Sequence, residues 1–281
     1  ALGTEFGGLS GIDYNAATGR FVAIADDRSQ FNLARYYELS LDYDLGGFNS
    51  VAVDLVTSIL RPDGTSFPTL ALDPESIRLR PGTGTLVWTS EGEKSALRLT
   101  NPFVREMNPD GTYVGEFDTP AKFFPTAVPD TTAGIRNNLA FESLTFSADG
   151  SKLFTATENA LYQDGPAADT STGSWNRVLG FDATTGVAGA EYAYLTDVVA
   201  DAPIPSGSFA TVGLVELLAL SDTKFLALER SFSNGVGNSI RLYEWDISGA
   251  DDISGLPSLS DGAFSGGVKT LIIDLDDLGI V

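Results

Sequence analysis

The sequence predicts an all-β fold, a β-propeller built of four-stranded blades, and three observations support this prediction. A short pattern that contains paired acidic residues recurs four times along the 281 residues. Within each copy, alternating apolar residues flank a turn, and the stretch around Asp149-Gly150 is typical of a β-hairpin. No segment shows the periodicity of an amphipathic helix. Each repeat is long enough for four strands, so we expect blades arranged around a central channel.

The predicted strands follow the repeats in order. They are residues 9–14, 20–25, 34–41 and 51–60 in the first repeat, 75–79, 85–89, 104–107 and 113–117 in the second, 142–146, 152–156, 177–181 and 191–195 in the third, and 215–220, 224–228, 239–245 and 268–275 in the fourth. The repeat periods of 65 (10 to 75), 67 (75 to 142) and 74 (142 to 216) residues exceed the usual length of a propeller blade, about 40–50 residues. The excess lies in predicted loops at 118–138 and 163–175. We expect one propeller domain that spans residues 1–281.

Each repeat brings polar residues to the two ends of its first hairpin. The pairs are Ser10 with Asp26, Glu75 with Glu91, Glu142 with Glu158, and Glu216 with Glu229, at spacings of 16, 16, 16 and 13 residues. Because a hairpin folds back on itself, the members of a pair should be neighbours at its open end. Blades around an axis would then gather these acids at one mouth. The predicted metal ligands are Asp26, Asp27, Glu75, Glu91, Glu142, Glu158, Glu216 and Glu229.

Composition restricts the chemistry that such a site can perform. The chain has no histidine and no cysteine, which excludes Ser-His-Asp catalysis, thiolate nucleophiles and ordinary zinc ligation. Oxygen ligands alone favour Ca²⁺. The net charge of -21 argues against nucleic acid as a partner, since phosphate contacts need a basic footprint. No run of apolar residues is long enough for membrane insertion. The sequence leaves the oligomeric state open.

Two triplets of acid, arginine and serine also match between repeats. They are Asp27-Arg28-Ser29 in the first repeat and Glu229-Arg230-Ser231 in the fourth. A guanidinium group suits phosphate, so Arg28 and Arg230 are candidate substrate-binding residues. The alternative is a salt bridge to the adjacent acid. The acid pairs have a structural alternative as well, because Arg35, Arg177 or Arg241 could pair with them and hold the blades in register.

Several of these motifs, taken in order, resemble a known family. Gly8-Leu9-Ser10-Gly11-Ile12-Asp13-Tyr14, Asp26-Asp27-Arg28-Ser29, Asn138-Leu139-Ala140-Phe141-Glu142-Ser143-Leu144 and Leu228-Glu229-Arg230-Ser231-Phe232 are similar to the phytase-like propellers known for an "esterase-like activity of phytase". The resemblance implies a propeller, with five or six blades in the complete family fold. It also implies export, hence an extracellular or periplasmic location after removal of a leader. Members of the family continue beyond a segment like Leu275-Asp276-Asp277-Leu278-Gly279 into another acidic repeat, so either a C-terminal blade is missing here or the ring closes differently.

The resemblance implies hydrolysis of phosphate esters with calcium, and the residues allow that chemistry. Without histidine or cysteine, a metal-activated water is the expected nucleophile. Glu142 and Glu158 are the candidate catalytic carboxylates, and a phosphorylated small molecule is the expected partner. The main alternative is a non-enzymatic extracellular binding or surface-assembly propeller in which calcium is structural. A glycosidase that uses a carboxylate pair ranks last, because no aromatic platform for sugars flanks the motifs.

Overall fold

The computed structural model describes residues 2–279, and their fold is all-β. They form four four-stranded antiparallel sheets, one two-stranded sheet and three short 3₁₀-helices. The strands are β1 (Leu9–Asn15), β2 (Arg20–Ala25), β3 (Arg35–Asp44), β4 (Gly47–Ser58), β5 (Pro74–Leu79), β6 (Leu86–Ser90), β7 (Glu93–Lys94), β8 (Leu99–Thr100), β9 (Phe103–Met107), β10 (Tyr113–Glu116), β11 (Phe141–Phe146), β12 (Lys152–Thr157), β13 (Ser174–Asp182), β14 (Ala188–Thr196), β15 (Ala210–Ala219), β16 (Lys224–Ser233), β17 (Gly237–Asp246) and β18 (Val268–Asp274). The 3₁₀-helices are Ala121–Phe123, Tyr162–Asp164 and Leu275–Leu278.

The four large sheets are the blades of a β-propeller, so the predicted fold class is confirmed. Their strand orders are β1-β2-β3-β4, β5-β6-β9-β10, β11-β12-β13-β14 and β15-β16-β17-β18, and we number the blades 1 to 4 in that order. In every blade the strands run antiparallel and follow the chain, as they do in propeller blades. Among residues 2–279, no helix is both long and apolar enough to span a membrane.

The described residues form two compact units, each of which contains two blades. The first unit holds the described residues up to Gly92 together with Phe103–Phe117, and so contains blades 1 and 2. The second holds Glu93–Pro102 and the described residues from Asp118 onward, and so contains blades 3 and 4.

In the first unit, blades 1 and 2 pack through a core of aromatic and branched side chains. Trp88 is at its centre, with ring centroids 6.0 Å from Phe67 and 5.1 Å from Phe103, both edge-on. Such pairs contribute about 0.5–1.5 kcal/mol each beyond the burial of their area. β1 and β5 approach so closely that a side chain at Gly11 would collide with the backbone of Ser76. The starts of the two first strands are therefore held together.

In the second unit, the core between blades 3 and 4 follows the same plan. Phe225 packs edge-on against Phe154 with ring centroids 5.1 Å apart, and the ring of Trp245 lies 5.4 Å from both Phe225 and Tyr194. The first strands β11 and β15 again lie side by side. The long segment before β11 contains Phe123, which is fully buried against Phe141 at 5.3 Å.

Candidate functional site

The first strand of each blade contains a register shift close to its start, and this shift fixes which residues are equivalent. The residues paired just before the shift are Leu9 with Ala25, Pro74 with Ser90, Phe141 with Thr157, and Leu214 with Glu229. A β-bulge of this kind bends the strand and redirects a side chain. The residues that follow on the second strand are therefore equivalent. They are Asp26, Glu91, Glu158 and Arg230.

This register departs from the repeat alignment in the fourth blade. Glu216 pairs with Leu228, whereas Glu229 pairs with Leu214, so the two acids belong to different rungs of the sheet. Arg230 occupies the position that an acid holds in the other three blades. The triplets that begin at Asp27 and Glu229 are consequently offset by two positions and are not structural equivalents. The 13-residue spacing of the fourth pair, against 16 in the others, reflects this offset.

The first unit contains a compact carboxylate cluster. Asp26, Asp73 and Glu75 each offer an oxygen, and these oxygens all lie within 4.8 Å of one another. The carboxyl groups of Asp26 and Asp73 are hydrogen-bonded to each other. Arg28 lies 3.4 Å from Asp73, and the Ser10 hydroxyl donates a hydrogen bond of 2.5 Å to Glu75. Oxygen ligands in this arrangement fit a hard divalent cation.

The electrostatics of this cluster favour proton or cation uptake. Burial, followed by repulsion from Asp26 and Glu91, raises the pKa of Glu75 well above its usual value. Burial also raises the pKa of Asp26, although the hydrogen bond with Asp73 and the charge of Arg28 oppose the rise. Carboxylates that are buried and that repel one another in this way are stabilised by any bound positive charge.

Asp73 is part of the cluster, and sequence reasoning missed it. It lies just before β5, two residues ahead of Glu75, and its carbonyl accepts a hydrogen bond of 2.8 Å from the amide of Glu91. The Asp73-Pro74-Glu75 run was the available signal, because a residue before proline favours the extended backbone that precedes a strand. Asp27, by contrast, accepts hydrogen bonds from the amides of residues 30–32 and pairs with Arg35 at 2.6 Å.

The second unit contains the candidate site at Glu158. Glu158 is 4% exposed. Two backbone hydrogen bonds hold it in place: its amide donates to the Ala140 carbonyl, and its carbonyl accepts from the Leu214 amide. The Asn176 side-chain amide also donates to the Glu158 carbonyl, at 2.7 Å. No described residue donates a hydrogen bond to its carboxyl group. Burial raises the pKa of Glu158 to about 7, although the charge of Arg230 opposes the rise.

Arg230, on blade 4, lines the same open pocket as Glu158. The pocket has a volume of about 410 Å³ and is lined by Asn137, Asn138, Leu139, Glu158, Phe209, Thr211, Arg230, Phe232 and Asn238. Gly213 pairs with Arg230, and a side chain at Gly213 would collide with the Glu158 carboxyl group. The guanidinium group of Arg230 forms no ion pair with the described residues. It is exposed and available to an anion.

An extension of blade 4 forms one wall of this pocket. β2, β6 and β12 each end at the rung of the register shift, whereas β16 continues four residues further, to Ser233. Thr211, Phe232 and Asn238 share one rung of this extension. Sequence reasoning ended this strand at residue 228 and missed the wall. The signal was present in Asn234-Gly235, a strong hairpin turn sequence in which Gly235 has a φ of +76°.

The other predicted site residues are distributed differently. Glu142 lies at the bulge of β11, at the same end of the hairpin as Glu158, and is half-buried. Glu216 is half-buried and accepts a hydrogen bond from the amide of Leu217. Glu229 is 2% exposed and already engaged, by Lys269 at 2.6 Å and the Tyr194 hydroxyl at 2.7 Å. Metal binding by these three residues stays a prediction.

Two of the three arginines considered as inter-blade struts, Arg177 and Arg241, pair with acids outside the predicted site, whereas Arg35 pairs with Asp27. Arg177 is fully buried and pairs with Asp164 at 2.7 Å and with Glu191 at 2.8 Å. Arg241 pairs with Asp274 at 2.7 Å. Neither arginine forms an ion pair with the paired acids at the hairpin ends in the described residues. Arg177 and Arg241 therefore do not neutralise those acids.

The fold and the acidic hairpin ends define a β-propeller with carboxylate sites. Comparison with known families agrees, since the phytase-like family, described as "esterase-like activity of phytase", matches residues 4–281. The chain belongs to this family. The resemblance read from the motifs is therefore confirmed.

Solved structures with a similar fold are distant in sequence. They include the propeller of Dos1 (9% identity, 85% of this chain and 57% of that chain, TM-score 0.39) and KlHsv2 with loop 6CD replaced by a Gly-Ser linker (11%, 94% and 57%, TM-score 0.35). A third is the Cps50 (Swd1) propeller domain of Myceliophteria thermophila (12%, 97% and 87%, TM-score 0.36). The chain spans 57% of the length of the first two. No curated protein sequence matches it significantly.

Proposed function

We propose that this protein is a calcium-dependent phosphoric-ester hydrolase. The observation that carries the proposal is the pairing of a buried, raised-pKa carboxyl group, Glu158, with an uncommitted guanidinium, Arg230, across an open pocket. Carboxyl groups whose pKa lies near the working pH are suited to proton transfer, and guanidinium groups are suited to phosphate. Membership of the phytase-like family supports the same chemistry.

Calcium would be held by carboxylates, and Asp26, Asp73 and Glu75 are the best-defined candidates. The donor set is entirely oxygen, and the mutual hydrogen bond of Asp26 and Asp73 marks a place where positive charge is lacking. When bound there, the ion would supply positive charge to the carboxylates of the first unit and lower the pKa of a water that it holds. A site of this kind is filled readily where calcium is abundant, which supports the proposal of an extracellular or periplasmic location.

The chain's own residues would then act as follows. Arg230 binds and orients the phosphate of a phosphorylated small molecule. In its protonated form, Glu158 donates a proton to the ester oxygen as the bond from phosphorus to that oxygen breaks and the bond from phosphorus to the water oxygen forms. The proton released by the water restores Glu158. Glu142, at the same hairpin end, is the second carboxylate available to this site.

A second candidate function is a binding module with structural calcium. The burial of Glu75 and the link from Ser10 in blade 1 to Glu75 in blade 2 favour it, because a cation there would tie the two blades together. Propellers support many unrelated functions, so the fold does not choose between the two.

The deciding experiment is phosphate release from a panel of esters during a calcium titration, for the wild type and for Arg230→Met. Methionine retains much of the stem of the side chain and removes the charge. We expect catalytic efficiency to fall by about 10–100-fold, the value of a hydrogen bond to a charged group. Unfolding free energy should hardly change. An absence of phosphate release from every ester at all calcium concentrations would favour the binding module.

A further inference from the structure

The charge and the aromatic residues of the pocket at Glu158 restrict which phosphate ester can bind there. We infer that its substrate is the phosphate monoester of a flat, apolar alcohol that carries a single phosphate, and not a polyphosphorylated one. The inference rests on the proposed function for its chemistry. It rests on the lining of the pocket for its selectivity.

Charge limits the number of phosphates. Arg230 is the only positively charged residue among the described residues that line the pocket, and Glu158 lies opposite it. A phosphate monoester carries about -1.5 to -2 charges at neutral pH, so one guanidinium offsets at most one such group. Further phosphates would face a chain whose net charge is already -21. A compact polyphosphate would therefore be repelled.

Aromatic side chains favour a flat organic group. Phe209 and Phe232 lie 6.2 Å apart between ring centroids, with the ring of Phe209 67% exposed. Phe232 and Arg230 are two residues apart on the same strand and project to the same face of blade 4. A ligand whose phosphate meets Arg230 can therefore place its organic group on the phenylalanine pair. Exposed aromatic rings beside a charged anchor are typical of small-molecule sites.

Size and polarity agree with a small ligand. A volume of about 410 Å³ lies toward the lower end of the range for small-molecule pockets, about 300–1,000 Å³. Asn138 and Asn238 add uncharged amides to the lining, which can donate to an ester or phosphate oxygen.

The inference can be tested without turnover by titration calorimetry with phosphonates, which the proposed reaction does not hydrolyse. Two probes are the phosphonates phenylphosphonate and methylphosphonate, each with the full chain in calcium. The third probe, inositol hexakisphosphate, is a phosphate ester, so its titration is accompanied by a check for released phosphate. We expect phenylphosphonate to bind about 10-fold more tightly than methylphosphonate, the value of about one aromatic contact. Inositol hexakisphosphate should bind more weakly than phenylphosphonate.

Variants then assign the selectivity to the two rings. Phe209→Ala and Phe232→Ala should each reduce the preference for phenylphosphonate at least about 3-fold while methylphosphonate binding is unchanged. Phe31→Ala is the matched control, because Phe31 is 79% exposed and lies in the other unit. Equal binding of the two small phosphonates, or tighter binding of inositol hexakisphosphate, would overturn the inference. Selective phenylphosphonate binding without phosphate release from any ester would refute the hydrolase and retain the specificity.

Discussion

The Glu158 carboxyl group lies where a Cβ atom at residue 213 would be. Because Gly213 on β15 has no side chain, the carboxyl group fits there. Gly213 also pairs with Arg230 in the sheet, so the glycine lets the Glu158 carboxyl group approach the strand pair that carries Arg230. The backbone at Gly213 does not need a left-handed conformation. Its role is therefore to allow this close approach.

We predict that Gly213→Ala displaces Glu158 and weakens the site. Its Cβ would overlap the carboxyl group, and overpacking in a filled region destabilises by about 1–3 kcal/mol. Phosphonate affinity should fall as well, because a displaced Glu158 would change the pocket that it lines together with Arg230. Urea unfolding and titration calorimetry measure the two effects. Gly189→Ala is the control, since its Cβ would make an ordinary contact of 3.6 Å.

Stability should depend on pH through Glu158. Its pKa is raised from 4.5 to about 7 by burial, so the folded state holds a proton that the unfolded state releases. This contribution is present below about pH 4.5 and is lost as pH rises through about 7. At about 1.4 kcal/mol per unit, it amounts to roughly 3 kcal/mol.

Glu158→Gln removes this titration. The variant should therefore gain stability relative to the wild type as pH rises from 5 to 8, measured by urea unfolding in EDTA. Asp149→Asn is the control, because the pKa of Asp149 is held at about 2 by hydrogen bonds from Ser147 and Ser151. It should show a constant offset over the same range. A flat difference for Glu158→Gln would mean that Glu158 is ionised throughout.

Hairpin geometry explains what could be predicted from the sequence. The positions of Glu75 and Glu142 at the open ends of their hairpins were predictable, because turn residues and the alternation of apolar residues define a hairpin locally. The register of blade 4 was not, because the position of a bulge depends on the partner strand. The 13-residue spacing of the fourth acid pair marks a difference from the other repeats but does not say which residues are shifted. The partners of Glu229, namely Lys269 and Tyr194, are separated from it by 40 and 35 residues. Such contacts arise from packing that no local pattern encodes.

Calcium should stabilise the first unit through Glu75. Without calcium at pH 7, Glu75→Gln should raise the free energy of unfolding, because it removes a buried acid that repels Asp26 and Glu91. With millimolar calcium, the wild type should gain stability by preferential binding to the native state, and the variant should gain much less. Thermal melting with and without calcium measures both. An equal calcium response in the two proteins would place the ion elsewhere.

Asp27→Asn tests whether Asp27 is a metal ligand or an acid that only stabilises its loop. Asp27 accepts three backbone hydrogen bonds and pairs with the buried Arg35. Burial opposes ionisation, but these hydrogen bonds, led by that of Arg35, lower the pKa of Asp27. Loss of the charge should destabilise the protein by about 1–3 kcal/mol. The calcium response should persist, in contrast to Glu75→Gln. Loss of that response with unchanged stability would identify Asp27 as a ligand.

Lys269→Met tests whether Glu229 is structural. Lys269 contacts Glu229 and Asp197, each at 2.6 Å, and its ammonium group lies over the ring of Tyr243 at 4.3 Å. Removal of the lysine leaves Glu229 buried without its cation, which should destabilise by about 3–5 kcal/mol. The double variant Lys269→Met/Glu229→Gln should recover much of that loss, because no buried charge is left unpaired. Urea unfolding of the two single variants and the double variant forms the cycle. If calcium restores the stability of Lys269→Met to the wild-type value, Glu229 can bind the ion once the lysine is gone, and the predicted metal role of Glu229 regains support.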